Sequence, residues 1–197
     1  MRRDHPILFA GRDVSNESFQ QIFKTLKIVP MPRNSPENHK ITVFRLVDHD
    51  PEKYVYLDIC RLVLTMMDVR FSIADKNELI DGEVGVVDMT GFGLKHLWKS
   101  AASMSTAKIY MKYIQEAAPF KIVKNHFVNC SPMTARFMGF IKPLMKKEVW
   151  ETMTFHTSMD TLYEELPREY LPEEYGGTAG SLDDHNDDWM KLIQSKR

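Results

Sequence analysis

ITVFRLVDHDPEKYVYLDICRLVLTMMD, residues 41–68, changes its period partway along. Residues 41–48 form a short, β-branched apolar run of the kind that makes a buried strand. Asp50 and Pro51 then provide an acidic cap and a proline at the first helical position, where its missing N–H costs nothing. Beyond them Tyr56, Ile59, Cys60, Val63 and Met67 fall on one stripe, so the spacing predicts a helix from Asp50-Pro51 to about Asp68. A strand that feeds a helix is half of a strand-helix-strand unit, and the fold class turns on whether the pattern repeats.

It does repeat. EVGVVDMTG (83–91), KIVKNHFVN (121–129) and ETMTFHT (151–157) read as further strands. Between them SMSTAKIYMKYIQEAAP (103–119) aligns Tyr110, Tyr113, Ile114 and Ala117 and stops at Pro119. Upstream, SNESFQQIFKTLK (15–27) sets Phe19, Ile22, Phe23 and Leu26 at helical spacing, with Ser15 or Asn16 as cap, and the prolines of 29–38 break it. Thr157 and Asp160 have capping-box spacing ahead of TLYEEL. The tail SLDDHNDDWMKLIQ reads as a last capped helix. The expected class is α/β, with a sheet that is at least partly parallel.

LPREYLPEEYGG (166–177) belongs to neither pattern. Pro167 and Pro172 each fix φ, remove a donor and push the preceding leucine out of the helical region. The expectation is a kinked strap pegged by Leu166, Tyr170, Leu171 and Tyr175, ending on glycines that allow φ > 0 or close backbone approach.

Composition narrows the function. The chain has 197 residues, 43% hydrophobic and 27% charged, with a formal net charge of -1. That suits one globular unit and argues against nucleic acid as the main partner. Cys60 and Cys130, seventy positions apart, suggest a reduced, cytoplasmic setting. Thirteen methionines suit an adaptable apolar cavity, or ordinary core filling. There is no glycine-rich phosphate loop, nucleophile elbow or paired-cysteine spacing, so no enzyme, cofactor or metal is expected. His49 and His185 read as turn and helix-cap residues, and His96, His126 and His156 as satisfied core or turn histidines.

The segment SPMTARFMGFIKPLMKK (131–147) is the unusual one. Met133, Phe137, Phe140, Ile141 and Leu144 make one apolar stripe, and Met138 and Met145 extend it. Gly139 and Pro143 weaken the helix, and Lys142, Lys146 and Lys147 gather at its exit. A buried core helix and a hinged lid with a lipid-facing side fit this pattern equally.

GVVDMTG, HFVNCSP, FIKPLMKKE, TFHTSMDTLYEELP and LPEEYGG occur in an order and spacing that resembles the CRAL-TRIO lipid-binding family. The likeness is to its animal branch of α-tocopherol transfer protein and cellular retinaldehyde-binding protein, and it runs from about His5 to Lys191. It implies a mixed, largely parallel sheet flanked by helices that enclose an apolar pocket, with 131–147 as gate helix. It also implies three parts: a leading arm and helix (1–35), the lipid-binding domain (36–180) and a C-terminal capped helix (181–197). The helical N-terminal domain of that branch has no counterpart here, so the chain reads as a shortened form or fragment.

By matching position, the resemblance implies ligand contacts at Cys60, Val63, Met67, Tyr113, Ile114, Ala118, Phe137, Phe140, Ile141 and Leu144. Each fits plain core equally well. With no charged side chain in that set, an uncharged tocopherol, retinoid or other isoprenoid is expected, with Tyr113 or Cys60 as its polar contact. Lys121 and Lys124, with Lys146 and Lys147 by proximity, are the phosphoinositide or membrane candidates, although Glu148 and Thr152 replace basic residues of that branch. The implied partners are a hydrophobic lipid and, transiently, a membrane surface, for a monomeric protein that carries lipid between membranes. The alternative is a membrane-recruited, phosphoinositide-binding regulatory module without transfer activity.

Overall fold

A computed structural model describes residues 2–73, 80–132, 134, 138–139, 142 and 145–195. Five strands form one sheet in sequence order: β1 (Leu26–Pro30), β2 (His39–Leu46), β3 (Gly82–Asp88), β4 (Ile122–Val128) and β5 (Met153–Phe155). β1 runs antiparallel to β2, and the other pairs are parallel. The parallel pairs need crossovers, and helices supply them. The helices are α1 (Pro6–Phe9), α2 (Glu17–Thr25), α3 (Tyr56–Ile73), α4 (Leu94–Ala102), α5 (Met104–Glu116), α6 (Lys147–Trp150), α7 (Met159–Tyr163) and α8 (Leu182–Ser195).

Four local expectations are corrected. Leu26 ends the α2 stripe but begins β1, because the extended run LKIVP pairs with β2, and Pro30 sits at the sheet edge where its absent donor is harmless. Asp50-Pro51 opens only a single turn, Pro51–Lys53, in which the Asp50 carboxylate accepts from the Glu52 N–H at 2.9 Å. The long helix restarts at Tyr56 and runs past Asp68 to Ile73. Helix α4 was hidden because GLKHLWKSAA lacks a clear start signal. Its cap is Gly93, whose N–H donates to His96 Nδ1 at 3.1 Å. The α7 cap is Ser158, without a side-chain bond, so the Thr157–Asp160 spacing forms no capping box.

Period-two alternation splits the sheet into two faces. Val29, Ile41, Val43, Val84, Val86 and Val128 turn to one side, where Leu162 of α7, Leu166, Leu171, Tyr175 and Leu182 bury them. Residues 166–177 are therefore a strap, as expected, though it is made of two tight turns at Arg168–Tyr170 and Glu173–Tyr175. Leu171 is fully buried, and burial of such a leucine is worth about 1.5–3 kcal/mol. Gly176 adopts φ +69°, and a Cβ on Gly177 would lie 1.9 Å from the Leu171 carbonyl oxygen, so the turn closes only on glycines.

The strap is also tied by polar bonds. Tyr163 Oη donates to the Tyr175 carbonyl at 2.8 Å, and Tyr175 Oη donates to Asp88 Oδ2 at 3.0 Å. Burial opposes the Asp88 charge. Donors from Asn129, Thr90 and Tyr175 nevertheless hold its carboxyl below the usual range. The N-terminal arm is fastened to α3 by Arg2 and Arg12, each 2.8 Å from Asp68.

Candidate functional site: an apolar interior on the open face of the sheet

The opposite face carries Ile28 of β1, Thr42 and Phe44 of β2, Glu83, Gly85 and Val87 of β3, and Asn125 and Phe127 of β4. Helices α3 and α5 lie over it without filling the space. One chamber of about 380 Å³ lies between the sheet and these helices, with Val63, Met66, Met67, Tyr110 and Ile114 on its helical wall. Trp189 of α8 also lines this chamber, with its indole N–H directed at Met66 Sδ, 3.0 Å away. A second chamber of about 460 Å³ lies toward α4 and the C-terminal ends of the strands. Phe44, Tyr56, Val87, Met111, Asn125 and Phe127 belong to the walls of both. Each volume falls in the range of small-molecule sites, about 300–1,000 Å³.

The walls are mainly apolar, and their two carboxylates are held by donors. In the first chamber the Arg70 Nη1 group donates to Glu83 Oε2 at 3.0 Å. Burial pulls the Arg70 guanidinium down to about 10, still cationic at neutral pH. In the second chamber Asp88 is held by the donors named above, and Lys108 is exposed. Two neutral groups are different. Thr42 Oγ1 is buried without a hydrogen-bond partner, and among the described residues the Asn125 amide makes no side-chain hydrogen bond.

The expected ligand-contact residues divide. Val63, Met67 and Ile114 stand on the wall of the first chamber. Cys60, Tyr113 and Ala118 lie instead in a cluster around Leu8 and Leu64, beneath the N-terminal arm. Helical geometry explains the split, because the stripe is wide and its Cys60–Leu64 edge turns toward α1 rather than the sheet. Tyr113 Oη accepts from Arg2 Nη2 at 2.5 Å, and burial pushes the Cys60 thiol up to about 12. Neither of these expected polar contacts faces the larger chambers. Phe137, Phe140, Ile141 and Leu144, with four more residues of the expected gate helix, lie outside the described residues. Met138 and Met145 of that segment line the second chamber.

Three of the four candidate lysines hold carboxylates. Lys124 pairs with Glu165, Lys146 with Glu116 at 2.9 Å, and Lys147 with Glu151 at 3.6 Å. Lys121 is exposed. On the strap face, His126 and His156 are buried 2.9 Å apart, and the hydroxyl of Thr161 lies 3.0 Å from His156 Nδ1. Burial, then the neighbouring His156, lowers His126 to about 4, so it is uncharged at neutral pH. Glu165 brings an oxygen within 4.8 Å of the two rings, which makes a possible donor set for a metal. The rings already bond each other and Glu165 bonds Lys124, so these donors satisfy one another.

A mixed sheet with one packed face and one hollow, apolar face under helices defines an α/β domain with an apolar interior pocket. The model of the CRAL/TRIO domain matches residues 24–177, and the chain belongs to that family. It is 27% identical over 189 residues to the alpha-tocopherol transfer protein-like protein of Mus musculus, covering 92% of this chain and 52% of that one. The Homo sapiens counterpart is 25% identical over 183 residues, with the same coverage. Clavesin-1 of Rattus norvegicus is 26% identical over 145 residues, 73% of this chain and 40% of the relative. The chain thus spans about half the length of the curated relatives it matches. The crystal structure of Sfh5 superposes with a TM-score of 0.65 at 17% identity, over 99% of this chain and 70% of that one, which is a likeness of fold.

Proposed function

We propose that this chain binds a hydrophobic small lipid, of tocopherol, retinoid or other isoprenoid type, between the open sheet face and α3/α5, and carries it between membranes. The observation that supports this is the pair of chambers with common apolar walls. Membership of the CRAL/TRIO family and likeness to proteins named for tocopherol transfer support it as well. No covalent chemistry is involved. The protein acts as a cytoplasmic monomer with peripheral membrane contact, and no described helix is long and apolar enough to cross a membrane.

Energetics explain why transfer needs a membrane. Hiding roughly 400 Å² of ligand apolar surface gains on the order of 10 kcal/mol, of which binding entropy takes back a substantial part. Release into water would forfeit that gain, whereas release into a bilayer exchanges one apolar surrounding for another. Opening along 131–147 provides the exit. Leu94 and Trp98, one turn apart on α4, are 47% and 73% exposed, while Leu97 between them lines the second chamber. An exposed tryptophan beside a chamber suits contact with lipid headgroups.

Organic extraction of purified protein followed by mass spectrometry tests the proposal. One hydrophobic small molecule per chain is expected, and repeatedly empty extractions would overturn it.

A further inference from the structure

On the strap face three donors from separate segments converge, and none of them lines either chamber. His126 stands on β4, His156 directly follows β5, and Glu165 follows α7. One ligand atom from each lies within 4.8 Å of the other two. The backbone fixes the rings. β4 and β5 pair with His126 opposite Thr154, and the His156 N–H donates to the Phe127 carbonyl at 2.8 Å. Both histidines are buried, whereas the side chains of Lys124 and Glu165 are 35% and 33% exposed and form the mouth toward solvent.

Hydrogen bonding decides which ring nitrogen carries a proton. Thr161 Oγ1 donates to the Ser158 carbonyl at 2.8 Å, so it accepts at 3.0 Å from His156 Nδ1. His156 Nε2 therefore presents a lone pair to His126 Nδ1, 2.9 Å away, and that nitrogen donates to it. An imidazole whose outer N–H is held by an oxygen while its inner nitrogen is bare is arranged as metal-binding histidines are. Two zinc-bound imidazole nitrogens lie about 3.3 Å apart, so the rings need to part by only about 0.4 Å to admit an ion. The His126 proton then moves from Nδ1 to Nε2. At the mouth the ion displaces Lys124 from Glu165, and exposed pairs of this kind contribute little. Outward movement of Lys124 opens the path and frees the carboxylate at once.

We propose that His126, His156 and Glu165 form a binding site for a first-row divalent cation of the zinc type, with water completing its coordination. Two imidazoles and one carboxylate suit such an ion, whereas magnesium and calcium favour oxygen donors throughout. The ion ties β4, the end of β5 and the segment after α7 together on the packed side of the sheet. The site stands whatever occupies the chambers.

The test titrates zinc chloride into the chelator-treated full chain and follows both heat and melting temperature. One ion per chain and a rise in melting temperature of several degrees are expected. Glu165→Gln, a change at the exposed mouth, should weaken binding while the metal-free melting temperature stays close to wild type. Thr161→Val keeps all three ligands and should still weaken binding about 10- to 100-fold, as loss of an outer hydrogen bond to a ligand does. Lys124→Met should tighten it by freeing Glu165. Cobalt(II) in place of zinc should give the visible absorption of a four-coordinate ion in wild type and lose it in His156→Gln. No heat and no change in melting temperature on adding zinc would overturn the site. Binding that survives Glu165→Gln but disappears in His185→Gln would place the ion on the acidic helix α8 and overturn it as well. Equal affinity of Thr161→Val and wild type would overturn the assigned ligand geometry.

Discussion

The two faces of the sheet are made by the same strands and treated in opposite ways. On one, Ile41, Val43, Val84 and Val86 meet leucines from α7 and the strap with no chamber between them. On the other, Phe44, Val87 and Phe127 line space that α3 and α5 leave open. Alternate residues of one strand thus face a packed core and an open chamber. The helical side has buried clusters of its own around Phe19, Leu62 and Ile193 and around Leu8 and Leu64, so it can leave a hollow at the sheet and still belong to a folded domain.

If that division holds, Leu171→Ala should have the largest effect on stability, about 3 kcal/mol by chemical denaturation, because a fully buried site leaves a cavity. A neighbouring pair sharpens the contrast. Val86 is fully buried on the strap face and Val87 lines both chambers, so Val86→Phe should cost about 1–3 kcal/mol through overpacking. Val87→Phe should shift stability by less than about 1 kcal/mol, because the ring enters existing space, yet largely abolish ligand retention. Equal destabilisation by the two would break the comparison.

Acid should loosen the strap face selectively. His126 is faced by His156, Glu165 and Lys124, and burial lowers it from 6.5 to about 4. The unfolded chain therefore binds more protons between these values. The stability this group supports is complete above pH 6.5 and is lost as pH falls toward 4. Denaturation curves at pH 7 and pH 5 should show the fall, and His126→Gln should flatten it. The smallest stability effect belongs to Trp98→Ala, within about 0.5 kcal/mol at so exposed a site. Ligand transfer between vesicles should nevertheless slow several-fold in that variant, with retention unchanged.

Much of this architecture was legible in the sequence because burial imposes periodicity. The runs at 41–48, 83–91, 121–129 and 151–157 match β2, β3, β4 and β5, and the doubled prolines and glycines mark the strap. The antiparallel β1 was not legible, since LKIVP continues an amphipathic helix without a break and only pairing with β2 makes it a strand. Nor was α4, which has a glycine cap and an exposed tryptophan. In the interior, Val63, Met67 and Ile114 were found through their stripe, but periodicity cannot say which edge of a wide stripe faces a sheet. Cys60, Tyr113 and Ala118 went to the N-terminal cluster for that reason. Thr42 and Asn125 were missed because a hydroxyl or an amide in a strand ordinarily faces solvent. Their only sequence signal was a polar residue within an apolar alternation.

Asp88 is where the two faces meet. It accepts the strap's Tyr175 hydroxyl on one side and belongs to the second chamber's wall on the other. The carboxylate therefore works as a rivet through the C-terminal rim of the sheet, anchoring the floor of that chamber to the buried strap. A molecule seated in that chamber would rest on a floor tied through the sheet to the strap.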